Sequence, residues 1–86
     1  MPTISIFFGL YNRMYYDDHE PAHFHAYYSG AEAIYEIATL GVLAGGLPNR
    51  ANALVLEWAV AHRGELSKNW QLAQAHQPLS PIRPLE

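Results

Sequence analysis

The chain has no cysteine, only five basic residues in 86, and no long unbroken apolar run; each shortage excludes something. Without cysteine no disulfide can brace the fold, and a reducing, cytoplasmic setting is the expectation. The five basic residues, Arg13, Arg50, Arg63, Lys68 and Arg83, are scattered along the chain. Phosphate backbones are held by clustered cations, so direct nucleic-acid binding is disfavoured. The opening MPTISIFFGLYNRM lacks a basic segment before its apolar stretch, and Asn12 and Arg13 interrupt it. It therefore reads as neither a secretory signal nor a membrane span.

What is present is a globular composition, 50% hydrophobic and 15% charged. The length suits one domain, 1–86, whose core is small: a chain of this size buries only about 60–65% of its unfolded surface. Small domains commonly gain a supplement from a metal or a partner chain when disulfides are ruled out. Charge is uneven. Residues 1–46 set Arg13 against Asp17, Asp18, Glu20, Glu32 and Glu36, a balance of −4; residues 47–86 set four bases against Glu57, Glu65 and Glu86, a balance of +1.

The hydrophobic period changes once, near residue 47. Before it, Thr3–Phe8 and Leu10–Tyr16 read as a hairpin turning at Gly9, and His23–Tyr28 and Ala31–Ile37 as a second hairpin turning at Ser29-Gly30. A short extended piece is expected at Val42–Leu43. After Leu47, apolar residues recur at helical spacing to Ala73, with Pro48 suited to the first turn and Asn49 as an alternative cap. Gly64 leaves open one long helix or two shorter ones. The stretch 78–86, with three prolines, should be extended and lie over the body. The expected fold is α+β: a four- or five-stranded antiparallel sheet (1–46) with C-terminal helices (47–77) on one face.

The segment Asp17-Asp18-His19-Glu20-Pro21-Ala22-His23-Phe24-His25 concentrates the chemistry. Alternation along a strand sends His23 and His25 to the same face. A two-residue turn at Ser29-Gly30 sets Tyr27 opposite Glu32, His25 opposite Ile34 and His23 opposite Glu36. One face then carries His23, His25, Tyr27, Glu32, Ile34 and Glu36; the other carries Phe24, Ala26, Tyr28, Ala31, Ala33, Tyr35 and Ile37, which is the core face. Two imidazoles and a carboxylate can hold a divalent metal such as zinc, manganese or nickel with positions left open. The candidate ligands are His23, His25 and Glu36, with His19 or the Asp17-Asp18 pair able to add another. Bound water at such a site could serve hydrolysis. The same residues could instead form metal-free hydrogen bonds and ion pairs, or do acid–base chemistry. His19, Glu20 and His23 do not make a helical zinc motif, because Pro21 opposes a helix there.

Other features are less pointed. His62-Arg63 would complement a helix C-terminus if the helix ended at Gly64, or could serve phosphate chemistry. Arg13 is flanked by Tyr11 and Tyr15 on its own face and could stack on them or pair with an acid. The run Leu54-Val55-Leu56 with Trp58, Ala59 and Val60 is apolar around most of the helix, so the helix is either wedged between two layers or meets a partner. No glycine-rich phosphate loop, nucleophile elbow or serine triad is present, and no catalytic residue is assignable.

The opening MPTISIFFG, the segment RMYYDDHEPAHFHAYY and the run LPNRANALVLEWAVAHRGEL resemble the small bacterial family named domain of unknown function 4160. The resemblance covers nearly the whole chain and is most specific from Tyr16 to His25; Ala22 stands where the family often has a second proline. It implies no defined activity. It does imply a toxin–antitoxin-like gene cassette, with a small neighbouring protein of domain of unknown function 2442 as partner, and hence a protein-interaction module; a homo-oligomer is the other assembly expected. The family motif, carried onto this chain, comprises Asp18, His19, Pro21, His23, Phe24, His25, Glu57, Trp58 and His62.

Overall fold

The computed structural model of the chain describes residues 2–86. Five strands, β1 (Thr3–Phe7), β2 (Leu10–Arg13), β3 (His23–Tyr28), β4 (Ala31–Glu36) and β5 (Val42–Gly45), precede two helices, α1 (Asn49–Ala61) and α2 (Arg63–Gln74). The strands form one antiparallel meander in the order β1-β2-β3-β4-β5. Two-residue turns create this order. Phe8 and Gly9 (φ 48° and 79°), and Ser29 and Gly30 (φ 49° and 87°), both have the left-handed backbone that matches hairpin twist. The second turn sets Tyr28 against Ala31 and carries the register to His23 against Glu36, as the two-residue loop requires.

β2 is shorter than the alternation suggests. Past Arg13 the chain leaves the ladder: Met14 is buried, Asp17 takes φ 59°, and residues 14–22 form the loop that returns to β3. β5 reaches Gly45, two residues beyond Leu43. Gly45 has φ 71°, and a side-chain carbon there would lie 2.2 Å from the Glu32 carbonyl oxygen, so only glycine permits this close approach.

The inner sheet face supplies Phe24, Ala26, Ala33 and Tyr35, all buried, and the helices close over it. Trp58 is the hub: its ring centroid lies 5.3 Å from that of Phe7 and 5.8 Å from that of Phe24, with Phe24 stacked on Tyr35 at 5.4 Å. α1 begins one residue after Pro48, whose carbonyl accepts the Asn52 amide hydrogen bond. The helical run breaks into two at His62 (φ −125°, ψ 26°) and not at Gly64. Arg63 consequently opens α2 and does not complement the C-terminus of α1. Along α1, Ala51, Val55, Trp58 and Ala59 are buried while Val60 is exposed, so the helix does have an outer side.

The extended tail finishes the core. Buried Asn69 donates to the Ser80 carbonyl and accepts from the Ser80 amide, both at 2.8 Å. Trp58 Nε1 donates to the Arg83 carbonyl, Ile82 is buried, and the Ile82 amide donates to the Ile4 carbonyl at the edge of β1. Among the described residues no helix is long and apolar enough to cross a membrane.

Candidate functional site

The outer sheet face takes every second residue of the strands. Register aligns Ile6, Tyr11, Tyr27 and Glu32 in one row across β1–β4, and Arg13, His25 and Ile34 in the next across β2–β4. Large apolar groups stay open to solvent here and at the adjoining turn: Ile6 is 52%, Tyr11 43% and Phe8 58% exposed. Arg13 lies over the Tyr27 ring at 5.0 Å and the Tyr11 ring at 5.8 Å, so its aromatic partners are Tyr11 and Tyr27. Tyr15 turns instead to the edge of His25 and hydrogen-bonds Tyr27 through the hydroxyls.

At one end of this face the loop meets β3. The rings of His23 and His25 are 5.2 Å apart, and His23 also packs against Trp70 of α2 at 5.2 Å. Both imidazoles turn Nε2 toward one atom, Asp18 Oδ2, at 2.8 Å from His23 and 3.5 Å from His25. Their Nδ1 atoms are engaged behind, His23 with the Pro21 carbonyl at 2.7 Å and His25 with Glu32 Oε2 at 2.9 Å. The second Asp18 oxygen accepts from the His19 amide at 3.0 Å, and Gln74 at the end of α2 donates to the Asp18 carbonyl. Loop, strand and helix are thus tied at one point. Phe24, between the two histidines in sequence, faces the core.

The electrostatics follow from these contacts. Burial works against charge on Asp18, but the His19 amide and the His23 imidazole outweigh it and hold the carboxyl below its ordinary range. The hydrogen bond from His25 holds Glu32 low against burial, with the Tyr27 hydroxyl adding to it. Burial, together with Tyr15 and Glu32, pushes the Tyr27 phenol well above its ordinary value.

The other candidates lie around or away from this point. Glu36 is opposite His23 in register, yet its carboxylate accepts from the Thr39 hydroxyl at 3.2 Å. His19 has its ring 6.1 Å from that of His23 and its Nδ1 3.4 Å from the Glu20 carbonyl oxygen. His62 pairs with Glu65 and leans on Trp58, on the helical side. Among the described residues, Asp18, His23 and His25 are the three side chains whose ligand atoms fall within 4.8 Å of one another. The supporting role of Glu32 was not among the expected site residues, although it lies diagonally across from His25, within reach of a long side chain.

Cavities lie elsewhere among the described residues. One of about 340 Å³ is lined by Phe8, Tyr28, Arg50, Leu54 and Glu57, and one of about 330 Å³ by Gly64, Lys68, Asn69 and Ser80. Neither is lined by a histidine. Comparison with curated proteins and with solved structures gives no match. A family model does match, over residues 9–71, from the first turn through most of α2, and so includes the loop, both histidines and Trp58. The chain belongs to the family described as Domain of unknown function (DUF4160).

Proposed function

We propose that this chain is a protein-interaction module that uses the outer face of its sheet to hold a partner, as one component of a toxin–antitoxin-like pair. The observation that carries this reading is the pair Ile6 and Tyr11, large side chains exposed on the face the helices do not cover, with the Tyr27 ring beside them under Arg13. Exposed aromatic and arginine side chains are the types enriched where proteins meet, and Arg13 stacked on two tyrosines combines them. Around this pair the face carries one base, Arg13, and one acid, Glu32, so the complementary surface is apolar at its centre with opposite charges placed to meet these two.

The test is co-purification with the product of the adjoining reading frame, measured by light scattering after size exclusion. Tyr11→Glu and Ile6→Lys should abolish the complex, whereas Val60→Lys, on the exposed side of α1, should leave it intact. A complex insensitive to the first two variants but lost in the third would move the interface to the helices. No complex would remove the pair reading.

A further inference from the structure

Apart from any partner, the loop-strand junction brings three potential ligand atoms together. A neutral imidazole has one N–H and one lone pair. A carbonyl oxygen only accepts, so the His23 nitrogen 2.7 Å from the Pro21 carbonyl must be its N–H. A carboxylate likewise only accepts, so the His25 nitrogen 2.9 Å from Glu32 must be its N–H. Both Nε2 atoms face one oxygen, Asp18 Oδ2, so three potential ligand atoms converge on one point. His25 Nε2 is buried and has no hydrogen-bond partner.

One cation at the meeting point satisfies all three atoms together. From these contacts we infer that Asp18, His23 and His25 bind a single divalent first-row metal ion, zinc being the best fit.

The geometry and the surroundings both suit it. Tetrahedral zinc with ligands at about 2.0–2.1 Å needs donor atoms roughly 3.3 Å apart; the Asp18 oxygen lies 2.8 and 3.5 Å from the two nitrogens, and all three atoms lie within 4.8 Å of one another. Each donor is also braced from behind, as metal ligands are: His25 by Glu32, His23 by the Pro21 carbonyl, Asp18 by the His19 amide. Two nitrogens and one oxygen favour an ion of intermediate hardness over magnesium or calcium, which take oxygen ligands. Three protein ligands leave one position for water or for a partner's side chain. Bound there, the ion would fasten the loop to β3 and stand in for the disulfide this chain lacks.

The experiment is zinc titration of tag-free, chelator-treated full-length protein by calorimetry, with circular dichroism to confirm folding and a cobalt(II) spectrum to report coordination. The wild type should bind one equivalent saturably and give the visible bands of four-coordinate cobalt. His25→Gln and Asp18→Asn, if folded, should each weaken binding by on the order of 100-fold, given that even supporting groups count for 10–100-fold. Glu32→Gln keeps all three ligands and should cost on the order of 10-fold. His62→Gln should bind as the wild type does. No saturable binding by the wild type, or binding that depends on His62 and not on His25, would overturn the assignment.

Discussion

Asn69→Ala should be among the most damaging single changes in the helical half. Asn69 is buried and its amide makes two bonds to one residue of the tail, donating to the Ser80 carbonyl and accepting from the Ser80 amide. Removing it strands two main-chain groups in a place that is only partly buried, each costing about 1–2 kcal/mol, the lower part of the range for a buried group. A total of roughly 2–4 kcal/mol is a large part of the 5–15 kcal/mol that holds a domain together. With an unfolding entropy near 2.1 cal/mol/K per residue, the melting temperature should fall by roughly 11–22 °C. The assay is urea and thermal denaturation, with hydrogen exchange at the Ser80 and Ile82 amides. Ser80→Ala is the control, since the bonds use its main chain, and it should change stability by less than about 0.5 kcal/mol. If Asn69→Ala were equally mild and both amides stayed protected, the tail would be held by burial of Ile82 alone, and the clamp argument would be refuted.

Gly64→Ala should stabilise the chain by roughly 0.5–1 kcal/mol in denaturation experiments, because the position is helical and a side-chain carbon there meets nothing within 4 Å. Gly45→Ala should do the reverse, losing more than about 1 kcal/mol and loosening β5, since its φ is 71° and the Glu32 carbonyl blocks the added carbon; exchange of the β5 amides would report it. Tyr35 is buried, its hydroxyl donates to Asn52 Oδ1 at 2.6 Å, and burial raises its pKa above 10.0. Its contribution is therefore complete below about pH 10 and is lost as pH climbs from there toward the raised folded value. Tyr35→Phe should flatten that part of the alkaline unfolding profile while costing about 1–2 kcal/mol at neutral pH, for the Asn52 oxygen left unpaired.

The periodic parts of this fold were legible in the sequence and the aperiodic parts were not. Alternation and a two-residue turn suffice to pair His23 with Glu36 and to put Phe24 and Tyr35 inside, because a slip of one residue would turn the whole core face outward. The same logic brings His23 and His25 together. It also points to Glu36 as their carboxylate, since Glu36 is the acid directly across the ladder. The loop presents Asp18 instead, and loop geometry follows no period: it depends on Asp17 at φ 59°, on the His19 amide and on Gln74, 56 residues away. The tail is similar. Its prolines announce extended chain, but only the packed structure pairs Asn69 with Ser80 and Trp58 with Arg83. The helix break at His62 is a third case: Gly64 is the weakest helix former in the run, yet the chain bends two residues earlier, where His62 packs on Trp58 and pairs with Glu65.

The central claim, that the open sheet face receives the partner, is tested most directly by methyl NMR of the labelled chain titrated with the adjoining gene product. Ile6 and Ile34 lie on that face, and Val60 lies on the exposed side of α1. The expected result is that the Ile6 and Ile34 methyl signals shift with saturation while Val60 stays still. A shift at Val60 with Ile6 and Ile34 unmoved would contradict the account and place the partner on the helices.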